Sequence, residues 1–414
     1  MMRFGGPRPL TFINARVVSA EGVSARSLRV AGGRVAELDG SPRAGDGVVD
    51  LDGAFVYPGL INAHDHLELN NFPRLKWRER HDNARDWIAG FTPRFTTDPR
   101  LIEPLKVPLD ERLWQGGLKN LLSGATTVCH HNTLDPALRR RDFPVQVVRN
   151  YGWSHSLLVD GEAAVARAYH HTPGGWPWII HAAEGTDAEA AGELSRLEQL
   201  GCLSAKTVVV HGVALASAGR ARLLASGGGL IWCPSSNLFM LAATADVREL
   251  AKAGRVALGS DSRLSGGRDI LDELKAAAAA ELLGAAALFR LVTTDAARLL
   301  RLPQAGRLEP GLPADLLVLP AQRDDPYDNL IASERSSVSL VMIGGQAQFG
   351  DRALIPQVLG SPGDAANVVL DDRPKWLRRS LAEQCWTNRA QEPGLVRDGS
   401  GAEAGSKLGS GARS

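Results

Sequence analysis

Between about residues 59 and 302, apolar runs of four to six residues alternate with longer segments whose apolar positions fall three and four apart. That alternation predicts β/α units around a parallel sheet, because strands buried on both faces read as continuous apolar runs. Strands are predicted over 59–63, 126–129, 145–150, 178–180, 207–210, 230–233 and 256–259. Helices are predicted over 110–123, with Leu113, Leu118, Leu121 and Leu122 on one side, and from a capping box Thr186-Asp-Ala-Glu189 to Gly201. A third helix is predicted from Asp269 to about Leu283. A closed (β/α)8 barrel needs one more strand than these seven. The gap between Asn150 and Trp178 looks too short for a further unit with its helix. The expectation is therefore an α/β protein built on a TIM-like barrel, distorted or one unit short.

Both ends of the chain have a different texture. Short strand-like pieces punctuated by Gly32-Gly33, Gly40 and Asp52-Gly53 fill residues 9 to 58, and similar pieces recur at 314–319, 337–343 and 346–349. Together they predict one small β-sandwich assembled from both termini. The expected organisation is 1–58 as the N-terminal part of the sandwich, 59–302 as the barrel, and 303–360 as the C-terminal part of the sandwich. A C-terminal extension over 361–390 and a disordered Gly/Ser/Ala-rich tail over 391–414 complete it. Residues 71–108 form a long connection of little periodicity after the first barrel strand, a place where lids and binding loops occur.

Composition narrows the function classes. The chain has 414 residues and a formal net charge of +1, so no polyanionic partner or membrane surface is indicated. No apolar run reaches the ~20 residues of a membrane helix, and the N-terminus lacks an apolar signal segment. Cys129, Cys202, Cys233 and Cys385 are scattered without a C-x-x-C pair, which predicts a reduced, cytoplasmic protein whose metal, if any, is held by nitrogen and oxygen. A small-molecule substrate is expected, with a homo-oligomer left open.

Candidate chemistry sits where the strands end. His64 and His66 follow Leu60-Ile-Asn-Ala, and positions i and i+2 of a strand point the same way. Such a pair is weak evidence alone. His181 follows Trp178-Ile-Ile, His211 follows Val208-Val-Val, and Asp261 follows Val256-Ala-Leu-Gly-Ser. In a parallel barrel these strand ends share one mouth. Glu184, three residues after His181, can lean over that mouth without being a ligand.

These pieces resemble the amidohydrolase superfamily, in the branch that includes guanine, cytosine, adenosine and triazine-type hydrolases. The matching stretches are His64-Asp-His66, His181-Ala-Ala-Glu184, His211-Gly-Val-Ala-Leu, Cys233-Pro-Ser-Ser-Asn237, Leu258-Gly-Ser-Asp261-Ser and the return Gly306-Arg-Leu-Glu-Pro-Gly-Leu-Pro-Ala-Asp315. The resemblance implies one divalent metal, zinc first and iron(II) second, with His64, His66, His181 and Asp261 as ligands. Binuclear members use a strand-end lysine, and none is found here. Asp261 is suited to taking a proton from the activated water, Glu184 to delivering one to a leaving nitrogen, and His211 to orienting the nucleophile or stabilising developing charge. Tentative substrate contacts are His130 (or its neighbour His131), His155, Asn237 and Arg263.

Asp65 is expected to point away from the metal toward a supporting partner, and Glu68-Leu-Asn70-Asn71 to begin the substrate pocket. The basic run Arg74, Lys76, Arg78, Arg80 and Arg85 reads as a solvated loop face, and Trp77 and Trp87 either wall the pocket or pack the loop. The implied activity is hydrolysis of carbon–nitrogen bonds other than peptide bonds, foremost deamination of a heterocyclic or amidine-type small molecule. Dechlorination or cyclic amide hydrolysis are the alternatives on the same scaffold. A metal-free binding protein is the rival from another class.

Overall fold

The computed structural model describes residues 8–359 and 362–399. Its centre is a set of short parallel strands: β1 (Leu60–Asp65), β2 (Ala125–His130), β3 (Gln146–Val147), β4 (Gly152–Ser156), β5 (Trp178–Ala182), β6 (Thr207–His211), β7 (Gly229–Trp232) and β8 (Val256–Leu258). The first three form one sheet in the order β3-β2-β1, and the other five pair consecutively in a second. A parallel bridge between Asp65 and Asp261 joins the two, with Asp261 N–H donating to His64 O at 3.0 Å. All residues of β1, β2, β5, β6, β7 and β8 are buried, as the unbroken apolar runs predict. Ile61, Ala63, Cys129, Ile179, Val208, Val210, Ile231 and Ala257 pack together on the inner side. Trp178, Ile180, Val209 and Trp232 join a larger cluster with the surrounding helices.

The eighth parallel strand is β4, inside the gap that looked too short. It fits because β3 pairs over only two residues and no helix separates it from β4. The return to β5 then uses two compact helices, Leu157–Asp160 and Glu162–His171. The helix expected over 110–123 is α1 (Leu109–Leu122), and that expected over 186–200 is α2 (Ala188–Gln199). Asp187, not Thr186, caps α2 by accepting the Ala190 N–H at 2.9 Å.

The terminal strands form two sheets. Four, from Arg34–Leu38 to Gly47–Asp50, make one. The other has nine strands, in which Arg16–Ser19 and Phe55–Pro58 from the N-terminal part lie beside Leu316–Leu319, Leu340–Ile343 and Gln346–Asp351. Period-two alternation gives that sheet two apolar faces. Val56, Leu316, Val318, Leu340 and Met342 pack with Phe12, Leu28 and Val30 between the sheets, while Phe55, Tyr57, Leu317, Leu319 and Val341 face the barrel core.

The C-terminal extension is part of this sheet. Ala365–Leu370, Arg373–Arg378 and Leu395–Arg397 continue it, so the reading of 391–414 as a disordered tail fails for its first nine residues. Glu392, fully buried, accepts from Arg263 at 2.7 Å and is paired with Arg335, which anchors that stretch. Residues 400–414 lie outside the described residues. The connection 71–108 also holds structure: helices Ala84–Phe91 and Pro99–Leu105 fold over a small cluster of Phe72, Leu75, Phe91, Leu101 and Leu264.

Candidate metal centre and active site

At the C-terminal ends of the parallel strands six imidazoles crowd together, from His64, His66, His131, His155, His181 and His211. Local backbone irregularities aim them. Strict alternation would put His64 on the side of Leu60 and send His211 outward with Val209. A register shift between Asn62 and Asp65 breaks the pattern in β1, and left-handed backbone at His211 (φ 72°) breaks it in β6. Asp261 (φ 53°) and Ala183 (φ 55°) are in the same region of φ. Non-glycine residues there cost roughly 1 kcal/mol or more, a strain that concentrates at functional sites.

His181 Nε2 lies 3.3 Å from both His64 Nε2 and His66 Nε2. Asp261 Oδ1 is 3.8 Å from the same atoms of His64 and His66. His181 Nδ1–H donates to the His155 carbonyl at 2.8 Å, so its Nε2 carries the lone pair into the cluster. Burial, reinforced by neighbouring imidazoles, holds His64 and His181 well below their ordinary pKa, so both rings are neutral donors. Converging lone pairs at this spacing suit a cation. Ligand atoms ~2.05 Å from a tetrahedral zinc stand about 3.3 Å apart. Two overlapping donor groups meet the distance requirement for a metal, His64–His66–Asp261 and His64–His181–His211.

The other oxygen of Asp261, Oδ2, accepts from Ser236 Oγ and Ser265 Oγ, each at 2.7 Å. Burial would raise this carboxyl, but His66, His211 and the two hydroxyls outweigh it and keep it below its usual range. Glu184 behaves oppositely. Burial, then the Asp261 and Glu193 charges, hold its carboxyl well above the usual range. Its Oε1 lies 3.4 Å from His211 Nε2. His211, pushed down by burial, donates Nδ1–H to Asn237 Oδ1 at 2.8 Å and presents Nε2 as acceptor to Glu184. Glu193 accepts the Ala183 N–H at 2.6 Å and fixes the turn that carries Glu184.

Asp65 points away from the cluster, as expected. It pairs with Lys119 Nζ of α1 at 3.0 Å and accepts from Asn70 and Asn120, each at 2.8 Å. Lys119, fully buried, also reaches Asn70 Oδ1 and Ser260 Oγ. Among the described residues it belongs to this supporting network and to neither donor group.

A cavity of about 360 Å³ opens on the cluster, lined by His66, His155, His181, Glu184, His211 and Asp261 on the reactive side. Glu68, Trp87, Ile88, Asn132, Trp153, Val159, Asp160 and Met240 form much of the remaining wall. His155 thus lines the space as predicted. The other three tentative substrate contacts do not. Asn237 is spent on His211, and His130 sits 3.7 Å from Glu68. Arg263 is drawn away by Glu392 and the Arg268 carbonyl.

His131 packs its ring 4.3 Å from His181 and donates Nε2–H to Ser154 O behind the cavity. Trp87 is a wall, whereas Trp77 packs on Phe91 beneath Arg94. Sequence reasoning assigned no role to Ser236, Ser265, Trp153 or Asp160. Ser236 stands inside the quoted Cys233-Pro-Ser-Ser-Asn237 stretch and was the one within reach.

Parallel strands whose C-terminal ends gather imidazole and carboxylate donors are an arrangement suited to a metal-dependent hydrolase. The amidohydrolase family model matches residues 160–347. The chain is 26% identical over 373 residues to a 5-methylthioadenosine/S-adenosylhomocysteine deaminase of Syntrophobacter fumaroxidans, covering 74% of this chain and 83% of the relative. It is 25% identical over 435 residues to an 8-oxoguanine deaminase of Pseudomonas aeruginosa, covering 84% and 93%. The fold matches that of an atrazine chlorohydrolase from Arthrobacter aurescens complexed with zinc, with TM-score 0.66, 19% identity, and coverage of 82% of this chain and 95% of that one. No helix of the described residues is long and apolar enough to cross a membrane.

Proposed function

We propose that this chain is an amidohydrolase that deaminates a heterocyclic or amidine-type small molecule hydrolytically, at one divalent metal held by His64, His66, His181 and Asp261 in an eight-stranded TIM-like barrel. Zinc is the first choice of metal and iron(II) the second. The carrying observation is that His181 Nε2 lies 3.3 Å from the Nε2 atoms of both His64 and His66, and Asp261 Oδ1 3.8 Å from the same two atoms. A divalent metal bound there lowers the pKa of a coordinated water to about 7.

The chain's own groups handle the protons and the charge. Asp261, its carboxyl kept below the usual range and restrained at Oδ2 by Ser236 and Ser265, is suited to take a proton from the attacking water. Glu184, its carboxyl held above the usual range by burial and the Asp261 charge and set 3.4 Å from His211 Nε2, is suited to donate a proton to the ring or leaving nitrogen. His211, oriented by Asn237, faces the same space, and its Nε2 lone pair is suited to orient the nucleophile by accepting a hydrogen bond from it. A protonated Glu184 favours a nitrogen leaving group, which needs a proton to depart, over chloride, which does not.

The experiment is a screen of purines, pyrimidines, pterins and triazines for ammonia release by the metal-loaded enzyme, repeated with Glu184→Gln. Ammonia release that falls by about 10²-fold or more in the variant, with its metal retained, is the expected outcome. Undiminished turnover in Glu184→Gln would remove the proton-donor assignment.

A further inference from the structure

The wall of the cavity away from the metal cluster carries carboxylates and no cation. Glu68 is nine-tenths buried, and Asp160 stands at the exposed mouth. Neither lysine nor arginine is among the lining residues. The nearby basic side chains are committed elsewhere. Arg74 donates to the Ser265 and Ser235 carbonyls, Lys76 to Phe239 O, Arg78 pairs with Asp86, and Arg85 with Glu189. Arg112 donates to the backbone oxygen of Glu68 and feels the charge of its carboxylate without a hydrogen bond to it.

That carboxylate is incompletely satisfied. Oε1 accepts from Asn132 Nδ2 at 2.9 Å. Oε2 is buried with no hydrogen-bond partner and lies 3.7 Å from His130 Nδ1, which accepts the Leu67 N–H. A buried carboxylate oxygen without a donor is costly, and a ligand that brings one recovers that cost. An anionic ligand would instead add like charge beside Glu68 and Asp160, on a wall that no lysine or arginine lines.

We propose that Glu68 is the specificity-determining residue of this cavity. The substrate is an uncharged or cationic heterocycle presenting an N–H or O–H donor to its carboxylate, not one bearing phosphate or carboxylate. Trp87, Trp153 and Met240 supply apolar wall for the ring. The inference rests on the reading of this cavity as the reaction site.

The test uses the metal-loaded enzyme, Glu68→Gln and Glu68→Ala, with matched pairs such as an aminopurine nucleoside and its 5′-phosphate. The wild type is expected to prefer the uncharged member by about tenfold or more in kcat/KM. Both variants are expected to raise KM for that member about tenfold while kcat changes by less than about threefold and metal content stays constant. A KM within about twofold of wild type in both variants, or a wild-type preference for the anionic member, overturns the proposal. If no heterocycle releases ammonia, the deamination reading fails on its own. Calorimetric binding of the same pairs then decides Glu68: about tenfold weaker binding of the uncharged member in both variants supports the inference, and equal affinity overturns it.

Discussion

At Asp261 the two carboxylate oxygens meet different partners, and the difference organises the site. Oδ2 takes two hydroxyl donors at 2.7 Å, while Oδ1 faces His64 and His66. A carboxylate restrained in this way offers one oxygen in a fixed direction. Groups that orient a metal ligand typically matter by about 10–100-fold in metal affinity or activity. Ser236→Ala is accordingly expected to weaken zinc binding by about tenfold, and Ser236→Ala with Ser265→Ala by more, measured by competition with a chelator of known affinity. Unchanged affinity in the double variant would show that the hydroxyls do not hold Asp261. His64, His66, His181, His211 and Asp261, which lie together in the fold, stand out in the sequence because each ends or follows an apolar strand, and Glu184 because it follows His181 by three residues. The hydroxyls do not, since serine is common in loops and its partner is 25 residues away for Ser236. Arg263 misled for the converse reason: its neighbour Asp261 is in the site, but Glu392, 129 residues on, turns it aside.

Among the elements, helix α3 (Pro234–Leu241) brings both Ser236 and Asn237 to the site, and its first turn is tied down by Glu273. Glu273 Oε1 accepts the Ser235 N–H at 2.8 Å, while the side chain is fully buried. Burial pushes its carboxyl up to about 7 from an ordinary 4.5, against the opposing hydrogen bonds from Ser235. Between those values the folded chain holds a proton that the unfolded chain has released, so this residue's contribution falls as pH rises through the window. At about 1.4 kcal/mol per unit the loss is roughly 3 kcal/mol. Glu273→Gln should therefore lose less stability than wild type between pH 5 and 8, read from urea midpoints. An identical pH slope in both proteins would contradict the shifted carboxyl. Strand β4 shows why elements were harder to read than ligands. Gly152-Trp-Ser-His-Ser lacks an apolar run because its end residues serve the site, and its burial is mixed.

Across the whole molecule, the parallel strands of the middle and the sheets shared by both ends of the chain are foreshadowed by the change in texture at both termini. The role of the C-terminal segment is not. Glu392 gathers Arg263 beside the metal-ligand loop, Arg335 of the sheet domain and Gln115 of α1 into one buried charge cluster. A glutamate in a Gly-rich, charged stretch gives no local sign of such a contact, because both arginines are distant in sequence. The same limit applies to the cavity: its chemistry comes from six or more segments that only the fold assembles.

The proposed function gives all of these parts one task, holding a divalent metal, and that metal is the most direct test. Metal analysis of the intact chain purified without chelators should find about one divalent ion per chain. Asp261→Ala should lower that content, and ammonia release should vanish on chelation and return with added zinc. Full ammonia release from chelated, metal-free protein, or substoichiometric metal even after reconstitution, would contradict the account.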